Sequence, residues 1–164
     1  MKKKEYLNNK VSIIVINKKA KYSYNIEEEY ESGIILLGWE VKSIRSKKVN
    51  INGSYISLFA NEAFLFSSTF EPLPTISTHV VYDPMRNRKL LLHKEQIYFL
   101  RGKVNREGYT LIALSLFWKK NWCKLKIGIG KGIKKLDKRE REKKNQWQLD
   151  KNRILKNTKN KILF

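Results

Sequence analysis

The sequence predicts a mainly β fold with peripheral helices, built as a small closed or partly open β-barrel and continued by a basic C-terminal tail. Three observations predict it. Short apolar runs separated by turn signals recur through residues 11–130, one segment near residue 97 carries helical spacing, and beyond Gly130 apolar residues are too sparse to line a core. Strands this short and frequent, with so few helices between them, do not fit a βαβ architecture. At 164 residues and 41% hydrophobic content the chain can bury one core and carry one extension. The expected division is a flexible basic N-terminus at 1–10, a barrel at 11–130 and a tail at 131–164.

Ser12 to Ile16 reads as a short strand, followed by a basic cluster of Lys18, Lys19 and Lys21. Glu27-Glu-Glu29 reads as a solvated turn balancing those lysines. The stretch Glu31 to Arg45 is the organising one. Ile34 to Leu37 is a continuous apolar run between Gly33 and Gly38, which suits a strand covered on both sides. From Trp39 the spacing turns helical, with Val41 and Ile44 on one face and Lys42 and Arg45 on the other.

Lys47 to Gly53 reads as a loop, and Tyr55 to Phe59 with Ala63 to Phe66 as a hairpin turning at Ala60-Asn61-Glu62. Pro72 and Pro74 interrupt regular structure before a further short strand at Val80 to Tyr82. Asp83-Pro84 predicts a helix start, and Leu90, Ile97, Leu100 and Val104 mark the apolar face of one helix or two. A second hairpin is predicted from Tyr109 to Trp118 and Trp122 to Ile129 around Lys119-Lys-Asn121. In its second strand Cys123, Leu125, Ile127 and Ile129 alternate with Trp122, Lys124 and Lys126, giving one apolar and one basic face.

Residues 131–164 hold 13 Lys/Arg against 4 Asp/Glu. Asp137 with Arg141 and Glu140 with Lys144 can pair at helical spacing, but each such pair contributes only about 0.2–0.5 kcal/mol. A tail helix without packing is therefore marginal, and the tail is expected to be disordered when free and to order on a partner.

The formal charge of +20 and a pI near 10.0 imply a polyanionic partner, nucleic acid before an anionic membrane surface. The single cysteine, Cys123, permits neither an internal disulfide nor a Cys-based zinc site, which suits a reducing cytoplasm. No apolar run is long enough to span a membrane. The two histidines, His79 and His93, and the absence of a Gly-rich phosphate loop argue against an enzyme; no cofactor, metal or catalytic residue is implied. RNA binding fits better. Cations recur at Lys42 and Arg45, at Arg86, Arg88 and Lys89, at Lys124 and Lys126 and through the tail, among aromatic residues able to stack. Trp39, Trp118 and Trp122 are expected in the core or at the barrel rim, whereas Trp147 has no core to enter and suits docking on RNA or a partner.

Five blocks stand in the order of a known family. They are Asn17-Lys-Lys-Ala20, Glu31-x-Gly33-x-x-Leu36-x-Gly38-x-Glu40-Val-Lys-Ser43, Asp83-Pro-x-Arg86-x-Arg88-Lys-Leu-Leu-Leu92, Asn105-Arg-Glu-Gly108 and Asp137-Lys-Arg139. Across residues 11–155 the chain resembles the SsrA-binding protein family, SmpB. The resemblance implies an OB-like closed β-barrel that binds the tRNA-like domain of tmRNA and carries it to stalled bacterial ribosomes for trans-translation. It places Glu31, Leu91 and His93 on the tmRNA-binding surface. It makes the tail the ribosome-binding part, helical in the mRNA channel near the small-subunit decoding centre, with Gly132 a hinge, Asp137, Lys138 and Arg139 the tagging motif, and Ile154 and Leu155 its apolar positions. Leu136 departs from the family's Tyr or His there. A monomer is expected. Two other readings remain from the residues: a ribosomal or general RNA-structuring OB-fold protein, and an RNA-processing enzyme.

Overall fold

Period-two alternation in the second half of the chain determines the architecture. The computed structural model describes residues 11–74, 82–134, 139, 143 and 146–154. In chain order the elements are β1 (Val11–Ile16), α1 (Lys18–Ser23), β2 (Tyr24–Ile34), α2 (Gly38–Arg45), β3 (Val49–Asn50), β4 (Tyr55–Phe59), β5 (Glu62–Phe66), β6 (Thr69–Phe70), β7 (Arg88–Leu91), α3 (Lys94–Glu107), β8 (Thr110–Lys119) and β9 (Trp122–Gly132). The fold is mainly β with a few helices, as the sequence predicts. The seven-stranded sheet runs β1-β8-β4-β5-β7-β2-β9, with β8 also paired to β9, and β3 pairs with β6 in a small second sheet. Residues to Lys131 and residues from Gly132 onward form separate compact units.

The β8–β9 hairpin turns at Lys120-Asn121, two residues rather than three, with Lys120 at φ 57°. Cys123, Leu125, Ile127 and Ile129 face the core, joined there by Ile56, Leu65, Leu90, Leu111 and Leu116. A bulge between Ala113 and Ser115 switches the inward parity of β8. Before it Leu111 and Ala113 point inward, and after it Leu116 does. Ile112 and Leu114 instead cover Ala20 of α1 on the other side of the sheet. Asn17 caps that helix: its Oδ1 accepts from the Ala20 N–H at 3.0 Å, and its Nδ2 donates to the Ala113 carbonyl at 2.9 Å.

Several expectations change. The apolar run Ile34 to Leu37 is not a core strand, because β2 ends at Ile34 and both Ile35 and Leu37 are exposed. The acidic run Glu27 to Glu29 is no turn but lies within β2. On α2 the buried face is Trp39, Glu40, Ser43 and Ile44, so the inward stripe contains a carboxylate and Val41 lies off it. Asp83-Pro84 starts no helix: Asp83 Oδ1 accepts from the Met85 N–H at 2.9 Å in a local turn, and the chain then enters β7. Arg88 and Leu90 face inward on that strand, a period-two placement, and the helix begins only at Lys94, burying Ile97 and Leu100. Gly108 ends it in the left-handed region at φ 68°. Of the strand expected at Val80 to Tyr82, only Tyr82 is among the described residues, and it is not in a strand.

Glu40 explains this arrangement. Its carboxylate accepts from the Leu37 N–H at 2.7 Å, Arg86 Nε at 2.9 Å and Arg88 Nε at 2.8 Å. Arg88 is wholly buried, its guanidinium 3.7 Å from the Phe70 ring centre, and it also donates to the carbonyls of Ser68, Arg86 and Pro84. Arg88 is therefore a structural cation, which corrects its expected role on the RNA surface. Burial pulls its pKa below the ordinary arginine value, against the opposing field of Glu40.

Removing one partner from a buried pair strands the other charge, so Glu40→Ala should lower stability by about 3–5 kcal/mol. Urea unfolding measures this, and a loss below about 1 kcal/mol would mean the arginines find other partners. Gly130 offers a second test. A Cβ there would stand 2.5 Å from the Asn25 carbonyl oxygen, whereas one at Gly132 would meet nothing within 4 Å. Gly130→Ala should cost about 1–3 kcal/mol. Gly132→Ala should stay within about 0.5 kcal/mol, both read from the same unfolding curves.

Candidate nucleic-acid interface

Alternation on β2 buries Ser32 and Ile34 and turns Glu31 and Gly33 to the other face. On β7 the buried Arg88 and Leu90 leave Lys89 and Leu91 on the outer face. These strands are antiparallel with Gly33 opposite Leu91, so the register carries Glu31 level with His93 just beyond the paired residues. A Cβ on Gly33 would lie 3.2 Å from that of Leu91, so glycine leaves room for the Leu91 side chain against β2. Leu91 remains 55% exposed, an isolated apolar side chain among charges. His93 is exposed immediately before α3, and its backbone N–H donates to Gln96 Oε1 at 3.1 Å. Glu31 thus shares one side of the sheet with Leu91 and His93, some sixty positions along the chain.

Lysines adjoin them. Lys119 Nζ lies 2.9 Å and Lys124 Nζ 3.7 Å from Glu31 Oε2, and Lys126 Nζ lies 2.9 Å from Glu29 Oε2. The hydrogen bond from Lys119, ahead of the field of Lys124, holds the Glu31 pKa below the ordinary carboxylate value. All these side chains are partly exposed and stay available to a ligand, while their pairing fixes their positions. Lys89 of β7 pairs with Glu62 of the neighbouring strand β5. Lys42 and Arg45 lie on the exposed side of α2, and Arg86, anchored to Glu40, also donates to the Ile35 carbonyl at 3.3 Å.

Lys119 belongs to this cluster although the sequence marks it only as a turn residue; it lies 88 positions from Glu31 and no local pattern joins them. Trp122 is a correction of another kind. Expected at the core or rim, it is 75% exposed because it shares the outward parity of Lys124 and Lys126. That parity was the available signal. Trp39 is buried, edge-on to Tyr82 at 5.7 Å, and Trp118 packs partly against the core.

In the C-terminal unit, Gly132 closes β9 and residues 139, 143 and 146–154 are helical. Arg139 is exposed, and Trp147 and Ile154 are each 65% exposed and seven residues apart, two turns along one helix side. Lys151 Nζ lies 5.3 Å from the Trp147 ring centre. Asp137, Lys138 and Leu155, with Leu136 and His79, lie outside the described residues. Among the described residues no three His, Cys, Asp or Glu side chains converge as a metal site. No described helix is long and apolar enough to cross a membrane.

A mainly β scaffold with paired acids, lysines and exposed rings on one side of its sheet, and a cationic extension, is the kind of surface an RNA-binding protein presents. The sequence model of the family described as "SmpB protein" matches residues 14–157. The chain belongs to the SmpB family. It is also similar to a chain in the solved structure described as "tmRNA-SmpB: a journey to the center of the bacterial ribosome", at 37% identity over 76% of this chain and 87% of the other, with a TM-score of 0.62.

Proposed function

We propose that this protein is the adaptor that binds the tRNA-like domain of tmRNA and delivers it to stalled bacterial ribosomes for trans-translation. Membership of the SmpB family, with a similar chain found in a tmRNA and ribosome structure, carries this reading. It is an RNA-binding protein rather than an enzyme, and it acts in the bacterial cytoplasm.

We further infer that the sheet closes as an OB-like barrel. The strand pairings support this, since β8 bonds β4 on one side and β9 on the other, and the order β4-β5-β7-β2-β9 returns to β8. Glu31, Leu91 and His93 form the centre of the tmRNA surface, with Lys124 and Lys126 beside them and Lys42, Arg45, Arg86 and Lys89 supplying phosphate contacts. A carboxylate at the centre accepts hydrogen bonds from base or ribose donors, which gives selectivity that net charge does not. Leu91 supplies an apolar contact. The tail, from Gly132 through Arg139 and Trp147 to Ile154, with Asp137, Lys138 and Leu155, engages the ribosome as a cationic helix. The sole cysteine is buried and its thiol pKa is pushed up to about 12, so it takes no part.

The test is a salt-matched binding comparison using the tRNA-like domain and an unrelated hairpin. Glu31→Ala and Leu91→Ala should each weaken binding to the tRNA-like domain, Glu31→Ala by about ten- to hundredfold, the size of a charged hydrogen bond. Hairpin binding should hold or rise with Glu31→Ala, because Lys119 and Lys124 lose their acid partner. Equal affinity for both RNAs, steeply salt-dependent and indifferent to Glu31, would favour a general RNA-structuring OB-fold protein. Deleting residues 131–164 should spare binding to the tRNA-like domain and abolish tagging on ribosomes.

A further inference from the structure

Beyond Glu31, Leu91 and His93, the outer face of the sheet continues onto β5 and β4. With Ala63 opposite Leu90, the register brings Glu62 level with Leu91, and Phe59 is opposite Glu62 at the end of the hairpin. The hairpin turns through Ala60 at φ 46° and Asn61 at φ 60°, both left-handed, so the two-residue turn fixes where the Asn61 amide is presented. Between this turn and the start of α3 lies a cavity of about 270 Å³ lined by Ala60, Asn61, Glu62, Lys94, Ile97 and Tyr98.

The composition of this cavity differs from both a core void and an ordinary charged surface. Ile97 is buried and supplies an apolar floor, while Tyr98, the next residue, is 59% exposed at the rim. Phe59 is 72% exposed beside the turn. Asn61 can both donate to and accept from a base edge. Lys94 follows His93 directly, so the cavity adjoins the tmRNA surface through the chain itself. Lys89 is paired with Glu62, so the one carboxylate at the site is neutralised and does not repel a phosphate.

We propose that this cavity takes a single unstacked nucleobase from a looped or single-stranded part of the bound RNA. Tyr98 stacks on the base, Ile97 contacts its edge, Asn61 hydrogen-bonds to it and Lys94 meets the adjoining phosphate. This extends the RNA surface from Leu91 and His93 to the β4–β5 turn, and it rests on the reading that the outer face binds RNA. A stacking platform of this kind tolerates different bases, because each has a π-face.

The test uses the full chain and the tRNA-like domain of tmRNA at several salt concentrations. Tyr98→Leu keeps bulk at an exposed helix position but removes the ring, and it should weaken binding by about 5- to 150-fold, the range of one base–aromatic stack, with the salt slope unchanged. Tyr98→Phe should retain the affinity. Asn61→Gly preserves the turn geometry, removes the amide and should also weaken binding. If Tyr98→Leu binds like the unaltered protein while Leu91→Ala does not, the base cavity is wrong and the adaptor surface stands. If neither variant is impaired, the outer-face reading fails with it. Unchanged RNA affinity but reduced tagging on ribosomes for Tyr98→Leu would assign the cavity to a protein partner and overturn the proposal.

Discussion

The buried carboxylate of Glu40 is the interaction on which the rest of the main unit depends. A carboxylate inside a protein is costly unless its oxygens are satisfied, and here Arg86, Arg88 and the Leu37 N–H satisfy them. Through those contacts α2 is tied to β7 and to the turn before it. Arg88 extends the tie to Ser68 and to Phe70 of β6, so one ionic centre joins segments that also meet in the apolar core through Trp39, Ile44, Phe70 and Leu90. Holding Arg88 inward also sets the parity of β7. Lys89 and Leu91 then have to face outward, and the position of Leu91 against Gly33 follows from a charge buried three residues earlier.

In the proposed reading the outer face turns this order into recognition. A chain with a net charge of +20 attracts any nucleic acid, and attraction alone selects nothing. Glu29 and Glu31 change that locally by pairing with Lys119, Lys124 and Lys126. The paired lysines are held in place, at exposures where screening makes each bridge weak for stability. Their value lies in geometry: the surface offers acceptors, donors and an apolar contact in a fixed arrangement rather than a diffuse cationic field. Trp122, Tyr98 and Phe59 stand exposed around the same sheet, where rings contribute little to folding and are available to bases.

Much of the fold could be read locally. The hairpins at residues 55–66 and 110–132 follow from alternation and turn chemistry, and the face of α3 follows from Ile97, Leu100 and Val104. A local pattern misleads where it has two solutions. Ile34 to Leu37 is apolar enough for a core strand, yet the chain leaves the sheet at Ile34 and Leu37 gives its N–H to Glu40. Arg88 looked like one cation in a basic cluster, because nothing near it in sequence reveals an acid 48 residues away. Asp83-Pro84 has the chemistry of a helix start and of a turn alike, and strand pairing beyond it decided for the turn.

The sequence by itself determined the charge, the mainly β character, the separation of a core-forming region from a cationic tail, and the blocks that mark the family. These depend on composition and on periods of two to four residues, which neighbours in the chain reveal. Tertiary structure decided which charges are internal, which rings are exposed, and that Glu31, Leu91, His93 and the lysines of β8 and β9 share one side. Those outcomes depend on strand register and on a bulge at Leu114, where a shift of one residue reverses every side chain beyond it.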